Sequence, residues 1–158
     1  MQGIGRHTDY ASRIVLHLAS LGDGAQVPVQ EIAEKRLLPA PFVRRVVARL
    51  AAAGLLKTTR GNGGGVRLAR PAAEISLLDV VRAMEGKVVL NRCVDTPHAC
   101  PLAAVCPVTR AWTDATRTVE GHLAGVTFAG LVAAIAREAA AAAAATATPT
   151  PASRRRKT

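Results

Sequence analysis

The sequence predicts a mainly α-helical fold with a small β-hairpin wing: a winged helix-turn-helix followed by a long dimerisation helix. Three observations predict it: helical apolar periodicity up to Leu50, a glycine-rich hairpin after Gly54, and an apolar seam from Val108 to Leu123. Composition allows a packed core, since 49% of the 158 residues are hydrophobic. Aromatic residues are only 3%, too few for a module that stacks single-stranded bases.

The first helix is expected to start near Thr8 or Asp9, whose side-chain oxygens suit a helix cap. Ala11, Ile14, Val15, Leu18 and Leu21 repeat at helical spacing, and Gly22-Asp23-Gly24 stops the run. A short second helix is expected from Val29 to Lys35, with Ile32 and Ala33 inward. Leu38-Pro39-Ala40-Pro41 breaks the chain before a third helix, Phe42 to Ala53. On that helix Val43, Val46, Val47 and Leu50 share one face, and Arg44, Arg45 and Arg49 the other. Gly54 ends it. Leu55–Arg60 and Val66–Ala69 have strand composition around Gly61-Asn62-Gly63-Gly64-Gly65, which reads as a hairpin.

Pro71 closes this unit. Ser76-Leu77-Leu78-Asp79 reads as a capping box, with Asp79 in place of the usual Glu, opening a helix to Gly86. Residues 87–106 read as a loop. Val108, Trp112, Ala115, Val119 and Leu123 step by four and three, which predicts a long helix pairing with a second copy. A last helix is expected from Phe128 to about Ala145, and Thr146 to Thr158 reads as disordered. The predicted organisation is a DNA-binding domain at 1–71, a cysteine loop and dimerisation helix at 72–132, and an Ala-rich helix end with a basic tail at 133–158.

The net charge of +10 points to a polyanionic partner, and only part of it sits in the Arg154–Lys157 tail. The reading with most support puts the third helix in the major groove of a double-stranded operator. Arg44, Arg45 and Arg49 would contact base edges or phosphates, and Arg60, Asn62 and Gly63 would serve the wing. The plainer alternative is a solvated arginine face. One exposed arginine favours that alternative; three beside a glycine-rich hairpin favour DNA.

Met1 to Gly5 lacks the basic-then-apolar pattern of a secretory signal, and no run of bulky apolar side chains approaches ~20 residues. The expectation is therefore a cytoplasmic, reducing setting without a membrane partner. Three cysteines there do not suggest a disulfide framework. Cys93, Cys100 and Cys106 follow a C-x6-C-x5-C pattern in the 87–106 loop, which suits a thiolate metal site. The spacing is wider than that of structural zinc knuckles and leans towards an iron–sulfur cluster. His98, His7, Asp9 and His122 are candidates for a fourth ligand. As residues alone, His98 is the obvious choice for zinc, and Asp9 reads first as a helix cap.

Together, Thr8-Asp9-Tyr10-Ala11, Ala53-Gly54-Leu55, Arg60-Gly61-Asn62-Gly63-Gly64-Gly65-Val66-Arg67-Leu68 and Ile75-Ser76-Leu77-Leu78-Asp79-Val80-Val81-Arg82 resemble the Rrf-type family of winged-helix regulators. The triple-cysteine loop follows at the family's place, and the resemblance covers about residues 4–132. It implies a homodimer crossed through the long helix, with an iron–sulfur cluster (4Fe–4S ahead of 2Fe–2S) on Cys93, Cys100 and Cys106. It also implies Asp9, supplied by the partner subunit as in NsrR-like members, as the fourth ligand. Thr109 stands where IscR-like members carry a histidine ligand, while Cys100-Pro101-Leu102 is similar to RirA-like iron regulators.

The resulting expectation is a repressor whose operator affinity follows cluster state, responding to nitric oxide, oxidants or iron status. Two alternatives remain at this level: a zinc or thiol-redox switch on the same DNA head, and a cluster carrier or electron-transfer protein with a basic docking face. No nucleophile–base pair, phosphate loop or paired carboxylates suggest an enzyme.

Overall fold

The apolar faces of the first three helices close on one another. The computed structural model describes residues 4–61 and 63–146. They form α1 (Arg6–Ser20), α2 (Val29–Arg36), α3 (Ala40–Ala52), β1 (Leu56–Thr59), β2 (Gly65–Leu68), α4 (Leu77–Glu85), α5 (Arg92–Asp95), α6 (Pro107–Gly125) and α7 (Phe128–Thr146). Short 3-10 turns occupy Ala72–Glu74 and Pro97–Ala99. Ile14, Val15 and Leu18 of α1, Ile32 of α2, and Val43, Val46, Val47 and Leu50 of α3 are buried together. Val66 and Leu68 of the hairpin, Val80 and Met84 of α4, and Phe128 of α7 complete the same core. Leu21 falls just past the end of α1 and is exposed.

The expected helix starts are displaced for identifiable reasons. α1 opens at Arg6, with Gly5 as its N-cap and no cap from its own side chains. The Glu85 carboxylate, at the far end of α4, accepts from the Gly5 N–H and the Thr8 hydroxyl instead. α3 opens at Ala40, because Pro41 fits the first turn of a helix, where no N–H is needed.

α2 and α3 end alike. Gly54 takes φ 73° while its N–H donates to Ala51 and that of Leu55 to Leu50. At the end of α2 the N–H groups of Leu37 and Leu38 donate to Glu34 and Ala33. Leu37 holds φ 53°, a left-handed conformation costing an L-residue about 1–2 kcal/mol.

The hairpin pairs Leu56 with Leu68 and Thr59 with Gly65. Val27 adds a bridge to Val66, which sequence pattern did not reveal. A Cβ on Gly65 would lie 2.6 Å from the Val27 carbonyl oxygen, so this glycine serves the wing's own packing. The Ser76–Asp79 capping box forms as expected, with Asp79 Oδ2 accepting from Ser76 N–H at 2.8 Å and Ser76 Oγ from Asp79 N–H at 3.2 Å.

The 87–106 segment is less irregular than a plain loop, since it contains α5 and one 3-10 turn. α7 reaches Thr146, and the rest of the expected tail lies outside the described residues. The span Phe128–Ala145 is long and apolar enough to pass as a membrane span, with mean hydropathy 1.5. That is weak evidence, because much of the apolar content is alanine and Phe128, Leu131 and Val132 pack on the core.

Inside the head, His17 of α1 is buried and its Nδ1 lies 2.8 Å from an Arg36 Nη of α2. Arg36 can only donate, so neutral His17 must accept. Burial, then Arg36 and Lys35, lower the His17 pKa from 6.5, against an opposing pull from Glu31. The folded state therefore binds fewer protons here than the unfolded chain, and stability rises with pH. Thermal unfolding should give a constant Tm above about pH 7 and a falling one below the ordinary histidine pKa of 6.5. His17→Gln should flatten that fall; an unchanged profile would remove His17 as its cause.

Candidate functional site

The outer face of α3 carries Arg44 and Arg45, both exposed. Among the described residues neither side chain makes a hydrogen bond or ion pair, and that of Arg60, just past β1, is equally unengaged. Gly63 stands in the wing turn at φ 79°, and Asn62 lies outside the described residues. Gln26 braces this turn, donating to the Gly63 carbonyl at 2.8 Å and accepting from the Thr59 hydroxyl at 3.2 Å. Its partners lie more than thirty positions away, so no local pattern marks it.

Arg49 departs from the expected row. Its guanidinium donates to the carbonyl oxygens of Met84 at 2.5 Å and Ala83 at 3.4 Å, in the last turn of α4. Phe42, on the same flank of α3, stacks on His7 at 5.2 Å between centroids and meets Tyr10 edge-on at 5.3 Å. α3 is thus tied along one side to the beginning of α1 and the end of α4. Asp9 does not cap α1; it lies in the first turn, exposed, and pairs with Arg13 at 2.9 Å. The Arg13 guanidinium also lies over the Tyr10 ring.

The three cysteines are free thiols, each half-buried. Cys93 lies on α5, where the Asn91 side chain accepts its N–H, Cys100 follows the 97–99 turn, and Cys106 is the N-cap of α6. Cys106 makes no side-chain cap bond to α6, and the neighbouring Thr109 N–H and hydroxyl, then the Val108 N–H, push its thiol below the ordinary range. His98 is exposed on its turn, His122 exposed near the end of α6, and His7 engaged with Phe42. Among the described residues of one chain, no three His, Cys, Asp or Glu side chains converge on a common centre. The donor chemistry suits a thiolate-bound group, and the isolated chain does not close around one.

α6 turns Thr116 inward and joins α4 through the Arg82–Glu120 pair at 2.8 Å. Its outer side leaves Val108 58%, Trp112 36% and Val119 37% exposed, along the seam expected from sequence. Beside Val119 and Leu123 opens a groove of about 650 Å³, walled by Ile4, Val81, Val88 and Leu90.

A three-helix head with a hairpin wing and unpaired arginines is the architecture of DNA-binding transcriptional regulators. A family model described as Rrf2, iron-dependent transcriptional regulator, matches residues 4–134. The chain is 35% identical over 131 residues to Protein aau3 of Rhizobium meliloti (strain 1021), an overlap of 82% of this chain and 84% of that protein. Among solved structures it is similar to CymR (YrzC), the global cysteine regulator of B. subtilis, with TM-score 0.69 and 25% identity over 84% of this chain and 98% of that one. The fold also matches T. potens IscR, with TM-score 0.64 and 22% identity over 94% and 93% of the two chains. The chain belongs to the Rrf2 family of transcriptional regulators, which are not enzymes.

Glu85 is the polar hub of the head. The Thr8 hydroxyl first, then the Gly5 N–H, Arg49 and His7, hold its carboxyl below the usual carboxylate range. Glu85→Ala should leave the core folded and loosen the first turn of α1, read as faster deuterium exchange at residues 5–9. Unchanged exchange there would deny Glu85 its capping role.

Proposed function

We propose that this chain is a cytoplasmic, homodimeric repressor whose operator affinity is set by an iron–sulfur cluster on Cys93, Cys100 and Cys106, with the partner's Asp9 as fourth ligand. The reading is carried by one observation: all three thiols lie in the segment that leaves the reading head at the end of α4 and returns as α6. The family's iron-dependent description supports it. The proposed division of labour gives residues 1–71 the DNA contacts, 72–132 sensing and dimerisation, and 133–158 an appended arm.

When bound, the cluster supplies a centre that nitric oxide, oxidants or iron loss can dismantle. The chain's residues do the rest. Cys93, Cys100 and Cys106 draw α5, the 97–99 turn and the start of α6 together. Asp9 gives up Arg13, an exposed pair worth at most about 1 kcal/mol. His7 and Tyr10, in the same turn as Asp9, carry its position to Phe42 and so to α3. Arg44 and Arg45 meet the DNA, with Arg60, Asn62 and Gly63 at the wing.

A second reading keeps the DNA head and makes the thiols themselves the switch. Three free, half-buried thiols in one short segment favour it, since oxidants can reach them. Anaerobic purification with absorbance, iron and sulfide analysis separates the two, followed by DNA binding before and after nitric oxide. A brown protein that loses DNA affinity about 100-fold, roughly 2.7 kcal/mol of coupling, is the expected result. A colourless protein whose binding changes only with thiol oxidation establishes the second reading instead.

For the proposed dimer we infer a register from the exposed seam of α6. An isologous two-fold pairing of antiparallel α6 helices, centred at Ala115 and Thr116, sets Trp112 against the partner's Val119 and Val108 against the partner's Leu123. Each Trp112 then enters the groove of the other copy. Trp112→Val and Val119→Trp alone should each weaken the dimer about tenfold or more in sedimentation, and the double exchange should restore it. No restoration means a different register; undiminished dimers in the single variants mean a different face.

A further inference from the structure

Arg45 and Arg49 stand four residues apart, about 40° around the helix, and the structure separates them by what they touch. Arg45 points to solvent, whereas Arg49 is committed to α4. We propose that Arg49 is a positioning residue, not a DNA contact: it fixes the angle of α3 from the last turn of α4, so that the state of the 87–106 segment governs how Arg44 and Arg45 meet DNA. This rests on the reading of that segment as the sensor.

The last carbonyls of a helix lack partners within it and carry its negative end, which makes a guanidinium their natural ligand. At the end of α4 the Gly86 N–H takes the Arg82 carbonyl, and Arg49 takes those of Ala83 and Met84. Glu85, the next residue, holds Gly5 and Thr8 of α1. Three consecutive residues thus tie α4 to both helices that position the reading face. Gly86 follows at φ 85° and ψ −134°, a conformation suited to glycine, and there the chain turns into the cysteine segment. A displacement of 87–106 is therefore applied within one helical turn of Ala83 and Met84, the acceptors of Arg49. Phe42, on the same flank, supplies the second tie, to α1.

The test uses the full-length protein and a duplex that the wild type selects from a random-sequence pool. Wild type, Arg49→Gln and Arg45→Ala are titrated across salt concentrations, untreated and after anaerobic reconstitution with ferrous iron and sulfide. Arg49→Gln should keep the wild-type salt slope and lose at least tenfold of the affinity ratio between the two preparations. Arg45→Ala should lower the salt slope by about one and keep that ratio. Deuterium exchange of untreated protein should show residues 83–90 exchanging roughly tenfold faster in Arg49→Gln and unchanged in Arg45→Ala. Arg49→Lys retains the charge without the paired donors; it should show the same trend more weakly, and it serves if Arg49→Gln fails to fold. A salt slope reduced by about one in Arg49→Gln, with unchanged exchange at 83–90, makes Arg49 a phosphate contact and overturns the proposal. A wild type that takes up no iron refutes the cluster alone; salt slope and exchange then still decide for or against Arg49.

Discussion

Val43, Val46, Val47 and Leu50 must leave water together because they share one face of α3, and that requirement decides where every other side chain of the helix goes. Burying them is worth on the order of 1.5–3 kcal/mol each against the unfolded chain, an upper bound because unfolded chains are themselves partly collapsed. No single polar tie in the head matches their sum. With that face fixed against α1 and α2, Arg44 and Arg45 point to solvent. Phe42 and Arg49 fall on the flank beside α1 and α4. The proposed DNA-facing surface is thus a consequence of core packing, and on the same proposal the flank is where it would be adjusted.

How much of this is legible in sequence follows from how local each cause is. The Ser76–Asp79 box needs residues three apart, and Gly54 needs only its own backbone, so both could be read directly. The seam of α6 was legible because periodicity survives whatever covers it. The start of α1 was not, since its cap comes from Glu85, 80 positions beyond Gly5. The contacts of Arg49 were hidden for the same reason. Helical spacing put it beside Arg45, and only the arrival of α4 supplied two carbonyls to claim it. Asp9 looked like a cap, and the structure instead gives its carboxylate to Arg13.

The cysteine segment differs in kind from the head. The buried apolar residues of the core stop at Met84 and resume at Phe128. Within that stretch, before α6 begins at Pro107, the chain is held by a four-residue helix, short turns and exposed pairs such as Lys87–Asp95 at 3.8 Å. Segments with so little buried area open at small free-energy cost. A thiolate-bound group, whose binding energy is also folding energy, would have its largest structural effect where the chain is least ordered by packing. The head, already closed by its core, would respond only through its edges.

Those edges have a suitable magnitude. A hydrogen bond to a charged group contributes roughly 1.5–3 kcal/mol, and the end of α4 carries such bonds from Arg49 and to Glu85. Losing one of them outright, or weakening both, is comparable to the roughly 2.7 kcal/mol that a ~100-fold change in affinity requires. The apolar core is too stable to serve as that switch, because breaking it would unfold the domain. The exposed Asp9–Arg13 pair is too weak, contributing at most about 1 kcal/mol. A regulator of this architecture therefore needs contacts of intermediate strength between a stable head and a loosely packed segment, and the last turn of α4 is where the chain provides them.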